Sequence, residues 1–326
     1  MKFLYFTDSH IRGTAPKSRK DDFFQTVLNK TREIFRIAKE RDVDYMLHGG
    51  DLFDRPDISI AVVGEFAKVL MEMPCPLYIV SGNHDIYGHN PKTLSRTMLG
   101  FLSNLGFLEL LNDKTTILSK GDTKVQITCA PYQFDMDKDP ENKPYIVKSV
   151  DESCDFAIHI CHGFLIDQPM HHGIPHTLIS DIIDTKADIT LSGHLHHGFK
   201  TQYINGKYFI NPGAIVRISN SLREIKRRPK VLLLECNKGA DIVIEEIYLK
   251  SAKPADEVLD RTEIEQHQFK KSKLHDFKEI VDSSGDFHKT DVFALLNEIS
   301  DHENVPENVK EEAFQRITEV QMKREY

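Results

Sequence analysis

Five polar clusters recur in the 326-residue chain: Asp8-Ser9-His10, Gly50-Asp51, Gly82-Asn83-His84-Asp85, His162-Gly163 and Gly193-His194-Leu195-His196. Their carboxylates, carboxamide and imidazoles form a donor set suited to Mn²⁺, Fe²⁺ or Zn²⁺ rather than Ca²⁺, which takes oxygens only. No thiolate belongs to the set, so a closed structural zinc site is not expected. Asp8, His10, Asp51 and His196 are the candidate ligands of one ion, and Asp51, Asn83, His162 and His194 those of a second. Asp51 is shared because a carboxylate has an oxygen for each ion. Two divalent ions held in this way activate a water and neutralise charge on a phosphoryl group. His84 is left over, and an imidazole suits protonation of the leaving oxygen near neutral pH.

Side chains so far apart in sequence meet only if the chain delivers them to one place. Each cluster follows a short run rich in β-branched or aromatic residues, and strands are expected over Lys2–Phe6, Asp44–Leu47, Leu77–Val80, Val125–Cys129, Phe156–Ile160 and Ile189–Leu191. In an open α/β sheet, ligands bind beyond the carboxyl ends of such strands. Helical periodicity fills the early gaps. One helix runs from a cap at Asp22 to about Glu40, a second spans Ser59 to Met71, and a third spans Thr93 to Leu105, closed by Gly106. This alternation predicts a largely parallel sheet. Later strands at Tyr208–Ile210, Val231–Leu234 and Ile242–Tyr248 are closely spaced, so they are expected to run antiparallel and to extend or face that sheet.

Composition changes near Lys250. Residues 1–250 form the expected catalytic domain, and 251–326 a small, acidic, helix-rich module with helices predicted over Asp291–Ile299 and Val309–Met322. That module has 11 Lys+Arg against 18 Asp+Glu, so it carries −7 of the net −8 and leaves the first domain at −1. An anionic substrate is therefore not excluded. No run approaches the roughly 18 apolar residues of a membrane span, and the apolar start meets Asp8 too soon for a signal-peptide core. The expectation is a soluble cytoplasmic protein. The five cysteines include no C-x-x-C pair and read as small buried residues.

Taken together, the clusters resemble the D-x-H, G-D, G-N-H-D/E, H and G-H-x-H motifs of the calcineurin-like metallophosphoesterases, over residues 1 to about 215. The resemblance implies an α/β fold of two facing mixed β-sheets flanked by helices in four layers. It implies the same ligand set, with His84 as the catalytic histidine. Within that superfamily the runs Lys2–His10, Gly49–Pro56 and Asn211–Arg217 look most like the SbcD-type nuclease branch. That likeness implies a DNA exonuclease and endonuclease, Mn²⁺-dependent with Fe²⁺ or Zn²⁺ as alternatives. It also implies a homodimer, and an SMC-like ATPase partner of SbcC type in DNA repair or recombination. The module after Lys250 would then cap DNA or bind the ATPase.

Further residues have expected roles. Asp54 and Asp85 are candidates to orient His84 or a ligand, and Arg55 to meet a phosphate. His171, His172 and His176 form a loop cluster, expected to be solvated. His197 points away from the ligands if its segment is extended, and His89 is placed to reach the pocket mouth. Arg217, Arg223, Lys226, Arg227, Arg228 and Lys230 form the dense basic stretch and are the DNA-contact candidates. Two other functions compete: a hydrolase of a small phosphoester, and a non-catalytic scaffold for DNA ends or the ATPase.

Overall fold

The computed structural model describes residues 1–112, 114–139, 143–170, 173–262, 273, 296–297, 300–301 and 305–322. The chain divides into two compact units, Met1–Asp260 and Arg261–Tyr326.

In chain order the strands are β1 (Lys2–Phe6), β2 (Tyr45–His48), β3 (Leu77–Ile79), β4 (Glu109–Leu110), β5 (Thr116–Lys120), β6 (Thr123–Ala130) and β7 (Phe156–Cys161). They continue with β8 (Leu165–Ile166), β9 (Thr177–Leu178), β10 (Ile189–Ser192), β11 (Phe199–Ile204), β12 (Lys207–Asn211), β13 (Lys230–Glu235) and β14 (Val243–Tyr248). The α-helices are α1 (Phe23–Glu40), α2 (Ile60–Leu70), α3 (Met98–Asn104), α4 (Leu222–Lys226), α5 (Ala255–Val258) and, in the second unit, α6 (Glu307–Met322).

Two six-stranded mixed sheets form, in the orders β14-β13-β1-β2-β3-β4 and β11-β12-β10-β7-β6-β5. Period-two alternation along β1 decides how they stack. Phe3 and Tyr5 join Leu47, Ile158, Ile160, Ile189 and Leu191 in the core between the sheets. Leu4 and Phe6 point the other way, into a cluster with Phe23, Val27 and Ile34 of α1 and Val63 and Phe66 of α2. Each such fully buried side chain contributes about 1.5–3 kcal/mol. Tyr145, Met136, Ile179 and Ile182 pack with Ala130 and Cys161 in a third cluster, which covers the outer face of the second sheet. The α/β fold with two mixed sheets flanked by helices is the one the motifs implied.

Local signals account for the ends. Asp22 accepts the Gln25 N–H at 3.1 Å and starts α1, and Ser59 caps α2 in the same way. The helix expected over Thr93–Leu105 is in fact two pieces. A 3₁₀ segment, Pro91–Arg96, ends where Thr97 turns extended (ψ 166°) and caps α3. A threonine that starts a helix cannot also lie inside one. Of the later strands, β13 and β14 extend the first sheet antiparallel, whereas β12 runs parallel to β10 in the second. The helix expected over Asp291–Ile299 lies outside the described residues apart from 296–297, whereas α6 covers the segment from Val309 to Met322. No helix among the described residues is long and apolar enough to cross a membrane.

Candidate metal centre

Parallel pairing continues past the strand ends and brings the first two clusters together. Asp8 N–H donates to the Gly50 carbonyl and His10 N–H to the Asp51 carbonyl, both at 3.1 Å. The turns are sharp: Asp8, His10, Asp51 and His194 have φ of 53°, 45°, 54° and 71°. That left-handed region costs a non-glycine residue about 1–3 kcal/mol and persists only where surrounding bonds impose it. The bonds are present. Asp8 carboxylate accepts the His194 N–H at 3.2 Å, and Asp51 Oδ1 accepts the His84 N–H at 2.8 Å. His48, buried at the end of β2, accepts the Gly50 N–H on Nδ1 at 3.1 Å, which leaves its Nε2 hydrogen for Ser9 Oγ at 2.9 Å.

Three sets of ligand atoms result, each within 4.8 Å: Asp8, His10, Asp51 and His196; Asp51, His162 and His194; and His10, Asp54 and His84. Asp51 belongs to the first two. Asn83 Oδ1 lies 2.8 Å from His194 Nδ1 and 3.1 Å from His162 Nε2, which puts it with the second set. His10 Nε2 and His196 Nε2 face each other at 3.0 Å. Asp51 Oδ2 is buried without a hydrogen-bond partner, 3.2 Å from His162 Nε2 and 3.8 Å from His10 Nε2.

These residues fit a cation site. Asp8 and Asp51 are both 0% exposed, and buried carboxylates are costly unless positive charge compensates them. Burial opposes ionisation of both, yet the surrounding imidazoles hold both carboxyls well below the usual range. Burial also pulls His10 and His162 down, but Asp54, Asp8 and Asp51 hold His10 up at about 10, and Asp51 and Asp8 hold His162 up at about 9. His194 and His196 go the other way. Burial first, then a neighbouring histidine, lowers them to about 4 and about 3, which favours the neutral imidazole that a metal needs. The backs of the rings are held as well. His162 Nδ1 donates to the Gly49 carbonyl at 2.6 Å, and His10 Nδ1 faces the Asp54 carboxylate at 3.7 Å.

His84 lies beside this set, its ring 4.9 Å from that of His10 and its Nδ1 donating to the Asp54 carbonyl at 2.8 Å. Asp54 therefore orients His84 through its backbone, while its carboxylate pairs with Arg12 at 2.9 Å. Asp85 binds backbone groups. Its buried carboxylate accepts the N–H groups of Leu52, Phe53 and Gly82, and burial followed by Asp51 pushes it up to about 6. Arg55 is exposed and pairs with Asp57 at 3.5 Å. His197 accepts from Arg223 Nη1 at 2.9 Å and belongs to none of the ligand sets. His176 is half-buried, its Nδ1 2.7 Å from the Ile174 carbonyl, and His171 and His172 lie outside the described residues.

The basic stretch requires a correction. Arg217 is 4% exposed and donates to the carbonyls of Glu224, Lys253 and Arg227. Arg227 donates to the carbonyls of Ala214 and Val216 and pairs with Glu224 at 2.7 Å. Both guanidiniums are spent inside the protein, so neither is a DNA contact, whereas Arg223, Lys226 and Arg228 remain exposed. His48, Arg12 and the aromatic residues Tyr132 and Phe164 near His194 were not picked out from the sequence. For His48 there was a signal, its place at a strand end directly before Gly49-Gly50-Asp51; for Tyr132 and Phe164 there was none.

A family model described as calcineurin-like phosphoesterase matches residues 1–198. The DNA double-strand break repair protein Mre11 of Thermoplasma acidophilum is 31% identical over 87 residues, which cover 25% of this chain and 22% of that protein. The protein of the same name from Methanococcus maripaludis is 28% identical over 118 residues, 32% of this chain and 31% of that one. The chain thus spans under a third of the length of either relative. Among solved structures, purple acid phosphatase PPD1 from yellow lupin (Lupinus luteus) seeds has a TM-score of 0.51 at 16% identity, over 78% of this chain and 52% of that one, a likeness of fold.

Proposed function

This chain belongs to the calcineurin-like phosphoesterase family, and we propose that it is a two-metal phosphodiesterase acting on DNA. In this reading it is the nuclease subunit of an SbcCD-like complex, Mn²⁺-dependent and homodimeric, with an SMC-like ATPase as partner. Residues 1–250 are the catalytic domain, and 251–326 cap DNA or bind the ATPase. The observation that carries the phosphoester chemistry is the convergence of Asp8, His10, Asp51, His162, His194 and His196 in two sets that share Asp51. The choice of DNA rests on the two Mre11 proteins, which are similar to this chain over part of their length.

Asp8, His10, Asp51 and His196 would hold one ion, and Asp51, Asn83, His162 and His194 the other. Bound there, divalent ions supply Lewis-acid polarisation of a phosphoryl group and acidify a water. The chain's own residues do the rest. Asp54 fixes the His84 ring by accepting its Nδ1 hydrogen, which turns Nε2 toward the substrate; a ring protonated at both nitrogens would deliver the Nε2 proton to the departing sugar oxygen and keep the Nδ1 hydrogen. Asp85 holds the backbone of Leu52, Phe53 and Gly82, and so the turns that carry Asp51 and Asn83.

The inward Arg217 and Arg227 favour a second reading, a hydrolase of a small phosphoester. One assay separates the two: Mn²⁺-dependent cleavage of an end-labelled double-stranded oligonucleotide by wild type and His84→Ala, with a chromogenic diester alongside. The nuclease reading expects DNA degradation, abolished by the substitution. Diester turnover with DNA untouched at low salt would overturn the stand-alone nuclease in favour of the small substrate.

A further inference from the structure

A row of rings leads outward from the metal centre and takes no part in the chemistry above. Tyr132 lies 6.0 Å from His194, centre to centre, His89 lies 5.5 Å from Tyr132, and Phe134 lies 5.9 Å from His89. Successive planes are tilted by 35°, 47° and 45°, and Phe164 meets His194 from another side at 5.5 Å. Exposure rises along the row: Tyr132 is half-buried, and Phe134 is 55% exposed and joins none of the apolar clusters. Packing therefore does not explain Phe134.

The row is held in place. Tyr132 N–H donates to the Ser81 carbonyl at 3.0 Å, directly before the Gly82 cluster. Asp137, three residues beyond Phe134, accepts from Tyr145 Oη at 2.6 Å, Thr177 Oγ1 at 2.8 Å and the Phe164 N–H at 2.9 Å. His89 sits at φ 57°, a strained conformation for a non-glycine residue. Lys138 Nζ lies 3.1 Å from the centre of the Phe134 ring. An ordered, exposed aromatic with a cation on its face suits a ligand that offers both a π-face and a negative charge.

We infer that Tyr132, His89 and Phe134 stack the unpaired bases of a DNA strand whose phosphodiester lies on the metal centre. This deepens the nuclease reading and rests on it. Every base has a π-face, so such a platform grips single strands or frayed ends without reading sequence. The exposed acids Asp135 and Asp139 beside the platform make it a poor track for phosphates, so bases carry the affinity. Lys138 pairs with Asp135 at 3.8 Å, and its long flexible stem lets it leave the ring face to a base and meet the neighbouring phosphate.

The test measures anisotropy of fluorescent oligo(dT) and of an abasic strand of equal length. Both bind the full chain with Mn²⁺ in a His84→Ala background, so the strand stays uncut. Oligo(dT) is expected to bind on the order of tenfold more tightly than the abasic strand. Adding Phe134→Ala should cut the preference for oligo(dT) severalfold, and Phe134→Trp should keep it. Equal binding of the two strands, or a preference undiminished by Phe134→Ala, would overturn the inference while cleavage by wild type left the nuclease standing. A chain that neither binds nor cuts any oligonucleotide would overturn both.

Discussion

Arg227→Met is the substitution that most directly tests how the basic stretch is folded. The Arg227 guanidinium has a side-chain exposure of 10%, and its partner Glu224 one of 4%. Methionine keeps the volume of the stem but removes every donor. Glu224 is then a buried carboxylate without its ion-pair partner, which costs about 3–5 kcal/mol. The carbonyls of Ala214 and Val216 also lose their donor, a loss included in that range because the groups act as one network. For a unit of this size each kcal/mol lowers Tm by about 2–4 °C, so the fall is about 6–20 °C. Thermal and urea unfolding followed by far-ultraviolet circular dichroism measure the fall and the free energy, with Arg228→Met as the comparison. Arg228 is exposed, 5.5 Å from the Tyr248 ring, and its loss should cost about 1 kcal/mol or less. The reasoning is refuted if Arg227→Met unfolds within about 1 kcal/mol of wild type while DNA affinity drops and its salt dependence becomes shallower. That result would place the guanidinium on the strand rather than in the protein.

Two further outcomes are expected. Burial lowers His159 from 6.5 to about 4, so between those values the unfolded chain takes up a proton that the folded chain refuses. Stability is full above the upper value and falls as pH drops through the window, by about 3 kcal/mol in all. Urea titrations at pH 7, 5.5 and 4.5 should show His159→Gln losing less than wild type by about that amount, and parallel losses would refute the assignment. Chelation should lower the melting temperature and Mn²⁺ restore it. A site filled at a hundredfold excess over Kd adds about 2.7 kcal/mol, or about 5–11 °C. In Gly82→Ala the new methyl overlaps the Asp51 carboxylate, so Mn²⁺ should raise Tm by less than half as much, and an undiminished rise would count against the shared role of Asp51.

Local chemistry was legible wherever neighbours in sequence are also neighbours in space. Asp22 and Ser59 announced their helices because a capping oxygen acts within one turn. Pro91 and Thr97 announced the break between the 3₁₀ segment and α3, but the apolar spacing masked them. The β11–β12 hairpin had a signal too, Asn205-Gly206 with both φ positive (51° and 79°), the type I′ turn, and it went unread. The metal-centre residues could be picked out because metal ligands must come from few residue types and here stand at strand ends.

Other features exist only after folding. Arg217, Arg227, Lys226 and Arg228 are the same chemistry in one short stretch, yet two are internal clamps and two face solvent. Which is which depends on the carbonyls of Ala214, Val216 and Lys253, which charge counting along the chain cannot see. Asp54 illustrates the same point, since it orients His84 with a backbone oxygen rather than its carboxylate. The row from His194 to Phe134 is assembled from segments around residues 89, 132 and 194. Residue type and near neighbours are enough to read the strands that carry the site, the caps and the kinds of atom available to a metal, but not β4, β5, β8, β9 or β11. Only the tertiary structure decided which charges are spent inward and which rings line up, because burial and partnership are set by segments distant in the chain.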